Sequence, residues 1–415
     1  MHLLASHAVW IWVVSLVGIL CMLLRPWRIP EAIWISAAAI VLIVTGLIPT
    51  ELARRAAAEG TNIYLFLAGM MLLAALARHE GVFDWIADIA VRRSGSSARR
   101  LFLLIYLTGV GVTALLSNDA TAVVLTPAVL AAVRRARVNS KPYLLACALV
   151  ANAASFLLPI SNPANLVVYS NQLPPLAAWL RIFILPSVAA IVVTYLCLRF
   201  LSRDVLATGI APARDRVVLL PAGRIALAGL ILAVVVLLVA SALRVQLGLP
   251  TCAAAVAALA AVSLKDRAVF QRTALKVSWS ILPLVAGLFV LVESLNSAGL
   301  LRLIADSFHW LAHAPKLGAS FAASGGAALL SNAMNNLPVA LAGGAVLKFT
   351  PQLSPAVLIG VNLGPNLSVT ASLATILWLM TLRRERVHIT RWEFFKTGLV
   401  VMPAAWLVSI LVLRF

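Results

Sequence analysis

Ten apolar stretches, each about long enough for a helix to cross a lipid bilayer, dominate the sequence. Of the 415 residues, 62% are hydrophobic and only 11% are charged, which excludes a soluble cytosolic enzyme of ordinary composition. The chain is therefore expected to be an all-α polytopic membrane protein. The predicted spans are residues 8–24, 31–50, 62–79, 142–170, 177–200, 223–243, 249–264, 278–298, 354–382 and 397–414.

Two further apolar stretches, 101–133 and 317–347, are each interrupted in the middle by a polar cluster. The clusters read SNDAT at 117–121 and SNAMNN at 331–336. A loop in bulk water would usually carry Lys, Arg, Gly or Pro, whereas these carry Asn, Ser and Thr. Irregular backbone at membrane depth is tolerated only where protein or a wet cavity surrounds it. We therefore predict two re-entrant hairpins with tips near the midplane. The alternative is a pair of full crossings joined by an ordinary loop.

Basic residues outnumber acidic ones by 33 to 14, for a net charge of +19. In a soluble protein this surplus would suggest nucleic acid, but here it lies in short clusters between spans, so no nucleic-acid partner is expected. With the amino terminus outside, 25 of the 33 basic residues fall on cytoplasmic segments. This asymmetry predicts a multi-pass protein with both termini on the non-cytoplasmic side.

An internal repeat is visible in the sequence. The string ALLSN occurs at 114–118 and again at 328–332, and Gly69 and Gly81 match Gly287 and Gly299. We predict a first repeat at 1–200 (hairpin 101–133, broken helix 142–170), a basic cytoplasmic linker at 201–222, and a second repeat at 223–415 (hairpin 317–347, broken helix 354–382). Each repeat holds five transmembrane helices and one re-entrant hairpin, and an odd number of spans inverts the second copy.

Inverted repeats with discontinuous helices are typical of secondary transporters, whose sites lie at the repeat interface. Pro159 and Pro163 interrupt one long span, and Gly364-Pro365 interrupt another. Two hairpin tips and two helix breaks are thus expected to meet at one site. The predicted substrate- and ion-binding residues are Ser117, Asn118, Asp119, Thr121, Asn152, Ser161, Asn162, Asn165, Ser331, Asn332, Asn335, Asn336, Asn362, Gly364, Asn366 and Ser368. Taken singly, each of these polar residues could instead form a hydrogen bond between helices and have only a structural role.

Only two carboxylates, Asp119 and Glu293, lie deep in apolar sequence. A buried ionisable group in a membrane is a functional candidate by default, so both are candidate proton carriers. Asp119 is the stronger candidate because it lies in the first tip, although it could instead cap the following helix. The repeat counterpart of Glu293 is Ala75.

Metal, cofactor and catalytic motifs were not found. All four cysteines lie in apolar stretches without metal-ligand spacing, and no glycine-rich phosphate loop occurs. The spans contain neither a Ser/His/Asp set nor paired carboxylates, so the chain is not expected to be an enzyme. No cofactor and no metal site are predicted.

The run LLSNAMNNLPVALAGG followed by GVNLGPNLSVTASLATILWL closely resembles the ArsB-type arsenite and antimonite efflux permeases of the ion transporter superfamily. LFLAGMMLLAALARHEGVFDWIA, SNDATAVVLTPAVL, LPISNPANLV and RWEFFKTGLV also match, so the resemblance covers essentially the whole chain. It implies export of trivalent arsenic and antimony hydroxides from a bacterial cell across its inner membrane, coupled to protons. It also implies that a soluble ATPase subunit can associate on the cytoplasmic face.

Carried over by position, the resemblance assigns Asn118 and Asp119 to the first tip, Asn335 and Asn336 to the second, and Gly364 and Pro365 to the second helix break. The family commonly has acids where this chain has Asn152 and Asn362, which leaves Asp119 as the only carboxylate at the predicted site.

Three alternatives to arsenite export by proton antiport stay open. The first is a sodium- or proton-coupled transporter of a small inorganic anion or a carboxylate, in which Asn side chains and freed carbonyls would bind Na⁺. The second is a sodium/proton antiporter, disfavoured because such exchangers usually have more than one buried acid. The third is a membrane-embedded enzyme.

Overall fold

The computed structural model describes residues 2–169, 173–210, 216–264, 266–300, 304, 311, 314–348 and 350–413. Within these ranges the secondary structure is helical apart from one isolated β-bridge between Ser97 and Gly209. Residues 211–215 of the predicted linker lie outside them. The helices are α1 His2–Leu24, α2 Glu31–Val44, α3 Thr50–Glu59, α4 Thr61–His79, α5 Val82–Ser94, α6 Ala98–Leu115, α7 Asn118–Ala120, α8 Thr126–Arg135, α9 Lys141–Ala153, α10 Pro163–Tyr169, α11 Leu176–Leu201, α12 Pro221–Ala242, α13 Gly248–Ser263, α14 Ala268–Lys276, α15 Ile281–Ser297, α16 Lys316–Met334, α17 Asn336–Leu347, α18 Ser354–Leu363, α19 Leu373–Arg384 and α20 Arg391–Leu411.

Among the described residues, six helices are long and apolar enough to cross a bilayer: α1, α4, α6, α11, α12 and α20. A seventh span is formed if α14 and α15, bent by 42° at their junction, are taken together. Large apolar side chains on these helices face outward, as in α12, where Leu232 is 61% exposed. Such a surface is stable only in lipid, so the chain is an all-α polytopic membrane protein.

One predicted span is shorter than expected. The stretch 31–50 does not form a single helix, because α2 ends at Val44 and the chain turns through Gly46, which has a φ of +71°. Left-handed backbone of this kind ends a helix and favours glycine. The polar helix α3 then begins at Thr50.

Each polar cluster lies at the tip of a helical hairpin. Hairpin 1 consists of α6, α7, a π-helical segment at Thr121–Leu125, and α8, and hairpin 2 consists of α16 and α17. The tip residues Asn118 and Asn336 are 3% and 4% exposed, so protein surrounds both tips. Each tip also meets the middle of a broken helix, as detailed below, which favours the re-entrant interpretation over a loop in bulk water.

Within the described residues, contacts between corresponding elements of the two halves come in exchanged pairs. Helix α4 packs on α13, and its counterpart α15 packs on α2. Helix α10 packs on hairpin 2, while α19 packs on hairpin 1. The matched glycines take part: Gly69 of α4 faces the backbone of Thr251 in α13, and Gly287 of α15 faces Ile35 in α2. Exchange of this kind is what a two-fold axis between the halves produces.

The helices form two bundles. Bundle 1 contains the first three spans of each half, with α1 packed on α2, α12 on α13, and α4 on α13. Bundle 2 contains both hairpins, both broken helices and the last spans α11 and α20, which pack on each other. The sequence predicts α11 and α20 as continuous spans like those of bundle 1. Their contacts nevertheless place them with the hairpins in bundle 2.

The close approach at Gly69 gives a stability prediction. A Cβ atom at this position would lie 2.7 Å from the carbonyl carbon of Thr251 and 2.8 Å from the amide nitrogen of Cys252, neither of which is a flexible side-chain end. We expect Gly69→Ala to lower stability by about 1–3 kcal/mol, because overpacking separates α4 from α13. The measurement is the thermal midpoint of the detergent-solubilised protein, followed by size-exclusion chromatography.

Gly326→Ala is the matched control, because a Cβ atom there meets nothing within 4 Å. Alanine is favoured over glycine within a helix, so this control should keep or raise the midpoint. Equal midpoints for the two variants would contradict the close packing of α4 on α13.

Candidate functional site

The first tip is organised by side chains that cap its own backbone. Ser117 Oγ accepts a hydrogen bond from Ala120 N at 3.1 Å, and Asn118 Oδ1 accepts one from Asp119 N at 3.0 Å. Thr121 Oγ1 lies 2.8 Å from Thr113 Oγ1 and joins the two arms. These bonds satisfy N–H groups that the start of a helix leaves free. They also fix the backbone at Asp119.

In the second tip the capping residue is Asn335. It has a φ of +76°, and its Oδ1 accepts a hydrogen bond from Leu337 N at 3.3 Å. Ser117 and Asn335 therefore occupy equivalent positions. The identical ALLSN strings do not, because Ser331 and Asn332 lie in the last turn of α16, before the tip. Aligning the two halves on the identical strings therefore gives a repeat register that differs by about one helical turn from the register in the structure.

Hairpin 2 is bonded to the second helix break. Asn332 Nδ2 donates to Gly364 O at 2.9 Å, and Asn335 Nδ2 donates to Thr370 O at 3.1 Å. Asn332 Oδ1 is buried without a hydrogen-bond partner. Hairpin 1 is tied in the same way to the first break, where Ser161 Oγ donates to Ala114 O at 2.9 Å. The structure thus joins each tip to a break in its own half.

Both helix breaks are short 3₁₀ turns whose free carbonyls are bound by side chains. In the first break, at Pro159–Ser161, Asn165 Nδ2 donates to Ser155 O at 2.8 Å. The second break contains the turns Gly364–Asn366 and Val369–Ala371, and there Thr375 Oγ1 donates to Val369 O at 2.8 Å. Prolines and extended backbone remove the usual helical donors, so these side chains replace them.

The two breaks cross at a buried cluster of amides. Asn362 Oδ1 accepts from Asn162 Nδ2 at 2.8 Å and from Ser155 Oγ, while Asn362 Nδ2 donates to Asn165 Oδ1 at 3.0 Å. Asn152 Nδ2 donates to Asn366 Oδ1 at 3.0 Å. We call Asn152, Ser155, Asn162, Asn165, Asn362 and Asn366 the amide cluster. Its members are at most 3% exposed. In this conformation they bind one another, so a ligand would have to replace bonds already made.

A cavity of about 570 Å³, the first cavity, opens beside the first tip and is lined by Ser117 and Asp119. The Asp119 carboxylate has no hydrogen bond or ion pair with any residue in the described ranges. The exposed side chains of Arg78, Lys276 and Arg384 also line this cavity, and we call them the rim cations. The sequence shows these three residues only as part of the charge asymmetry that predicts topology, since nothing local distinguishes them from other basic residues near span ends.

The second cavity, of about 740 Å³, lies beside hairpin 2 and is lined by residues of both halves, including α15 and α17. Its polar lining includes Glu59, Asn62, Glu293, Asn296 and Lys348. Glu293 occupies the position that Ala75 has in the first cavity. The two candidate proton carriers thus line different cavities. Glu59 and Lys348 were not singled out from the sequence, because each lies at the end of a helix where charge is common.

Several other predicted site residues line neither cavity. Asn118, Thr121, Ser331 and Asn336 are buried at or beside the tips, and Gly364 is buried against the backbone of Ala328 in hairpin 2. Ser368 is partly exposed, and its Oγ lies 3.4 Å from Thr370 Oγ1. Of the predicted site residues, the structure thus brings together the five Asn residues of the amide cluster, while Asn332 and Asn335 are bonded to the second break and Ser117 and Asp119 line the first cavity.

The amide cluster gives a second stability prediction. We expect Asn362→Ala to lower stability by at least about 2 kcal/mol, because each buried polar group left without a partner costs about 1–3 kcal/mol. Ser368→Ala, which removes one long contact, should stay within about 0.5 kcal/mol of wild type. Thermal midpoints in detergent measure both variants, and an Asn362→Ala protein as stable as Ser368→Ala would refute the network.

Comparisons with known proteins agree with this architecture. A family model described as CitMHS, citrate transporter, matches residues 1–383. Arsenical pump membrane proteins from Yersinia enterocolitica and Escherichia coli are each 30% identical, over 354 and 352 residues, with 80% of this chain and 81% of the relative covered. An uncharacterized transporter of Mycobacterium tuberculosis is 26% identical over 365 residues, covering 82% of each chain.

Among solved structures, the YdaH transporter of Alcanivorax borkumensis aligns with a TM-score of 0.54 at 14% identity, covering 85% of this chain and 84% of the other. At this identity the likeness concerns the fold alone. The family match and the two arsenical pump relatives extend over most of the chain, including hairpins and helix breaks. The chain therefore belongs to the CitMHS citrate transporter family and is an ArsB-type membrane transporter.

Proposed function

We propose that this transporter exports trivalent arsenic and antimony hydroxides across the inner membrane by proton antiport with alternating access. The observation that carries the proposal is Asp119, the one carboxylate that lines the first cavity in the described part of the chain. The relatives named arsenical pumps support the substrate class. The chemistry of the cavity supports the coupling.

The lining suits a small neutral ligand. Arsenite near neutral pH is an uncharged, pyramidal trihydroxide, which needs hydroxyl, amide or carboxylate oxygens as hydrogen-bond partners. Ser117 and Asp119 offer these in the first cavity, and no cysteine lines either cavity. The orphan oxygen of Asn332 supplies one further acceptor beside the second tip. Binding is thus expected through oxygen rather than through a thiol triad.

Asp119 is suited to carry the proton. Because no cation in the described ranges is paired with its carboxylate, the charge is not fixed by an ion pair, and an ionisable group at such a place in a membrane protein is a candidate proton carrier. In antiport, the protonated carboxylate would release its proton to the cytoplasm as the substrate binds and would be protonated again from outside. Glu293 in the second cavity is the alternative carrier.

The paired contacts support two inverted repeats, at 1–200 and 223–415, and a movement between the two bundles. Both halves of the chain line each cavity, with hairpin 1 beside the first cavity and hairpin 2 beside the second. If the second half is inverted, the two cavities open to opposite sides of the membrane, as alternating access requires. The rim cations then mark the first cavity as cytoplasmic, because Arg and Lys concentrate there. Both termini would lie outside, and a soluble ATPase subunit would dock on the basic cytoplasmic face.

The rim cations also favour a second candidate function. Three exposed positive charges around one cavity attract anions, so transport of a small inorganic anion or a carboxylate, coupled to Na⁺ or H⁺, fits this feature. Sodium/proton exchange is less well supported, because Asp119 and Glu293 lie in separate cavities.

The central prediction concerns coupling. We expect Asp119→Asn to abolish arsenite uptake into everted vesicles energised by a proton gradient, because an amide cannot carry a proton. Arsenite exchange without a gradient should stay measurable. Glu293→Gln is the matched control and should still respond to the gradient and to a protonophore. Normal pumping by Asp119→Asn would move the coupling role elsewhere, with Glu293 as the next candidate.

A further prediction separates the two candidate functions. A neutral trihydroxide is not steered by charge, so arsenite uptake by a Lys276→Gln, Arg384→Gln double variant should stay within about twofold of wild type at any ionic strength. Uptake of an anionic substrate would fall with the loss of these cations and with added salt. A large loss of arsenite uptake in the double variant would contradict recognition of the neutral form.

A further inference from the structure

One polar contact joins the end of α4 in bundle 1 to hairpin 1 in bundle 2. Arg78 Nη1 donates a hydrogen bond to Val123 O at 3.2 Å. Arg78 lies in the last turn of α4, and Val123 lies in the π-helical segment of hairpin 1. Both residues line the first cavity together with Asp119. The contact therefore crosses the boundary at which alternating access requires movement.

The Val123 carbonyl is available because of the local sequence. In an α-helix its hydrogen-bond donor would be the amide of the fourth residue onward, which is Pro127 and has no N–H. The backbone instead widens into a π-helical turn, with Thr126 N bonded to Thr121 O. Such turns free backbone groups and recur at functional sites. Arg78 thus supplies a donor where the helix cannot.

The described part of the second half has no equivalent arrangement. By the repeat register of the tips, Arg78 corresponds to Asn296, Val123 to Leu341 and Pro127 to Ala345, all three of which line the second cavity. Residue 345 keeps its amide N–H, and α17 is an uninterrupted helix. The contact is therefore specific to the first cavity and breaks the symmetry between the two halves.

We propose that Arg78 is a positioning residue that latches hairpin 1 onto bundle 1 and biases the transporter toward the conformation in which the first cavity is open. This inference rests on the alternating access of the proposed function, but not on the identity of the substrate. Val123 lies about one helical turn after Asp119, so the latch also fixes where the carboxylate stands in the cavity. Moving hairpin 1 away from α4 requires that this bond break.

Arg78 has a second electrostatic effect that the test must separate from the latch. Burial raises the pKa of Asp84 on α5, and the positive charges of Arg135 and Arg78 oppose this rise. Removing Arg78 therefore changes a charge as well as a hydrogen bond. Pro127→Ala offers the needed control, because its amide N–H bonds Val123 O within the helix and so weakens the latch while Arg78 keeps its charge.

The experiment measures access to each cavity by thiol labelling. In a background with Cys21, Cys147, Cys197 and Cys252 replaced, single cysteines are placed at Ala75 in the first cavity or at Val292 in the second. Everted and right-side-out vesicles are treated with a membrane-impermeant maleimide, without arsenite. We expect Arg78→Gln to slow labelling at position 75 and to speed labelling at position 292, each by about threefold or more, as loss of a charge-assisted bond implies.

Pro127→Ala alone should shift both rates in the same directions as Arg78→Gln, and adding Arg78→Gln to it should change neither rate by more than about twofold, because no latch is left to lose. Unchanged rates in Arg78→Gln, or an equally large effect of Arg78→Gln in the Pro127→Ala background, would overturn the latch. If Arg78→Gln alone fails to fold, Pro127→Ala alone tests the latch, and wild-type labelling rates or failure to fold in that variant overturn it. Because no substrate is present, a transporter that does not move arsenite would still give the labelling result.

Discussion

Backbone polar groups inside a bilayer must find hydrogen-bond partners within the protein. This chain interrupts its helices at four places, and the backbone N–H and C=O groups there would otherwise have no partner. The rest of the structure depends on how those groups are satisfied. Asn165 and Thr375 donate hydrogen bonds to freed carbonyls within the breaks. Asn332 and Asn335 donate hydrogen bonds from the second hairpin to the second break. The amide cluster then joins the two breaks to each other. Four interruptions that would each be unstable alone thus become one polar centre.

The polar residues of the protein fall into two groups with different roles. The amides that cross between the halves are bonded to one another, so they position the tips and breaks, whereas two carboxylates line the cavities. Asp119 and Glu293 are both of this second kind, and each belongs to a different half of the molecule. The Arg78 contact, present on one side only, adds a difference between halves that are otherwise built alike. A transporter with two alternating states needs such a difference to prefer one of them.

The sequence predicts the hairpins and helix breaks because polar clusters and prolines inside apolar stretches have few other interpretations. It predicts less well what depends on tertiary contacts. The end of α2 at Val44 is set by a turn at Gly46 within an apolar stretch, and the register of the second tip is set by the left-handed Asn335 rather than by string identity. The pairing of Asn152 with Asn366 joins residues more than 200 positions apart, and no local pattern reveals it. The sequence does not reveal that the rim cations line one cavity, because their convergence follows from the packing of α4, α14 and α19.

In the proposed mechanism the substrate leaves as protons enter, through a site whose carboxylate lies in the first tip. The most direct measurement is the internal pH of proteoliposomes that contain the purified transporter and a pH-sensitive dye, recorded as an arsenite gradient is imposed with no other driving force. We expect arsenite moving down its gradient to drive protons in the opposite direction, and the pH change to disappear when the lipid is made permeable to protons. Arsenite flux with no change in pH, or a pH change driven only by sodium or by an anion, would contradict it.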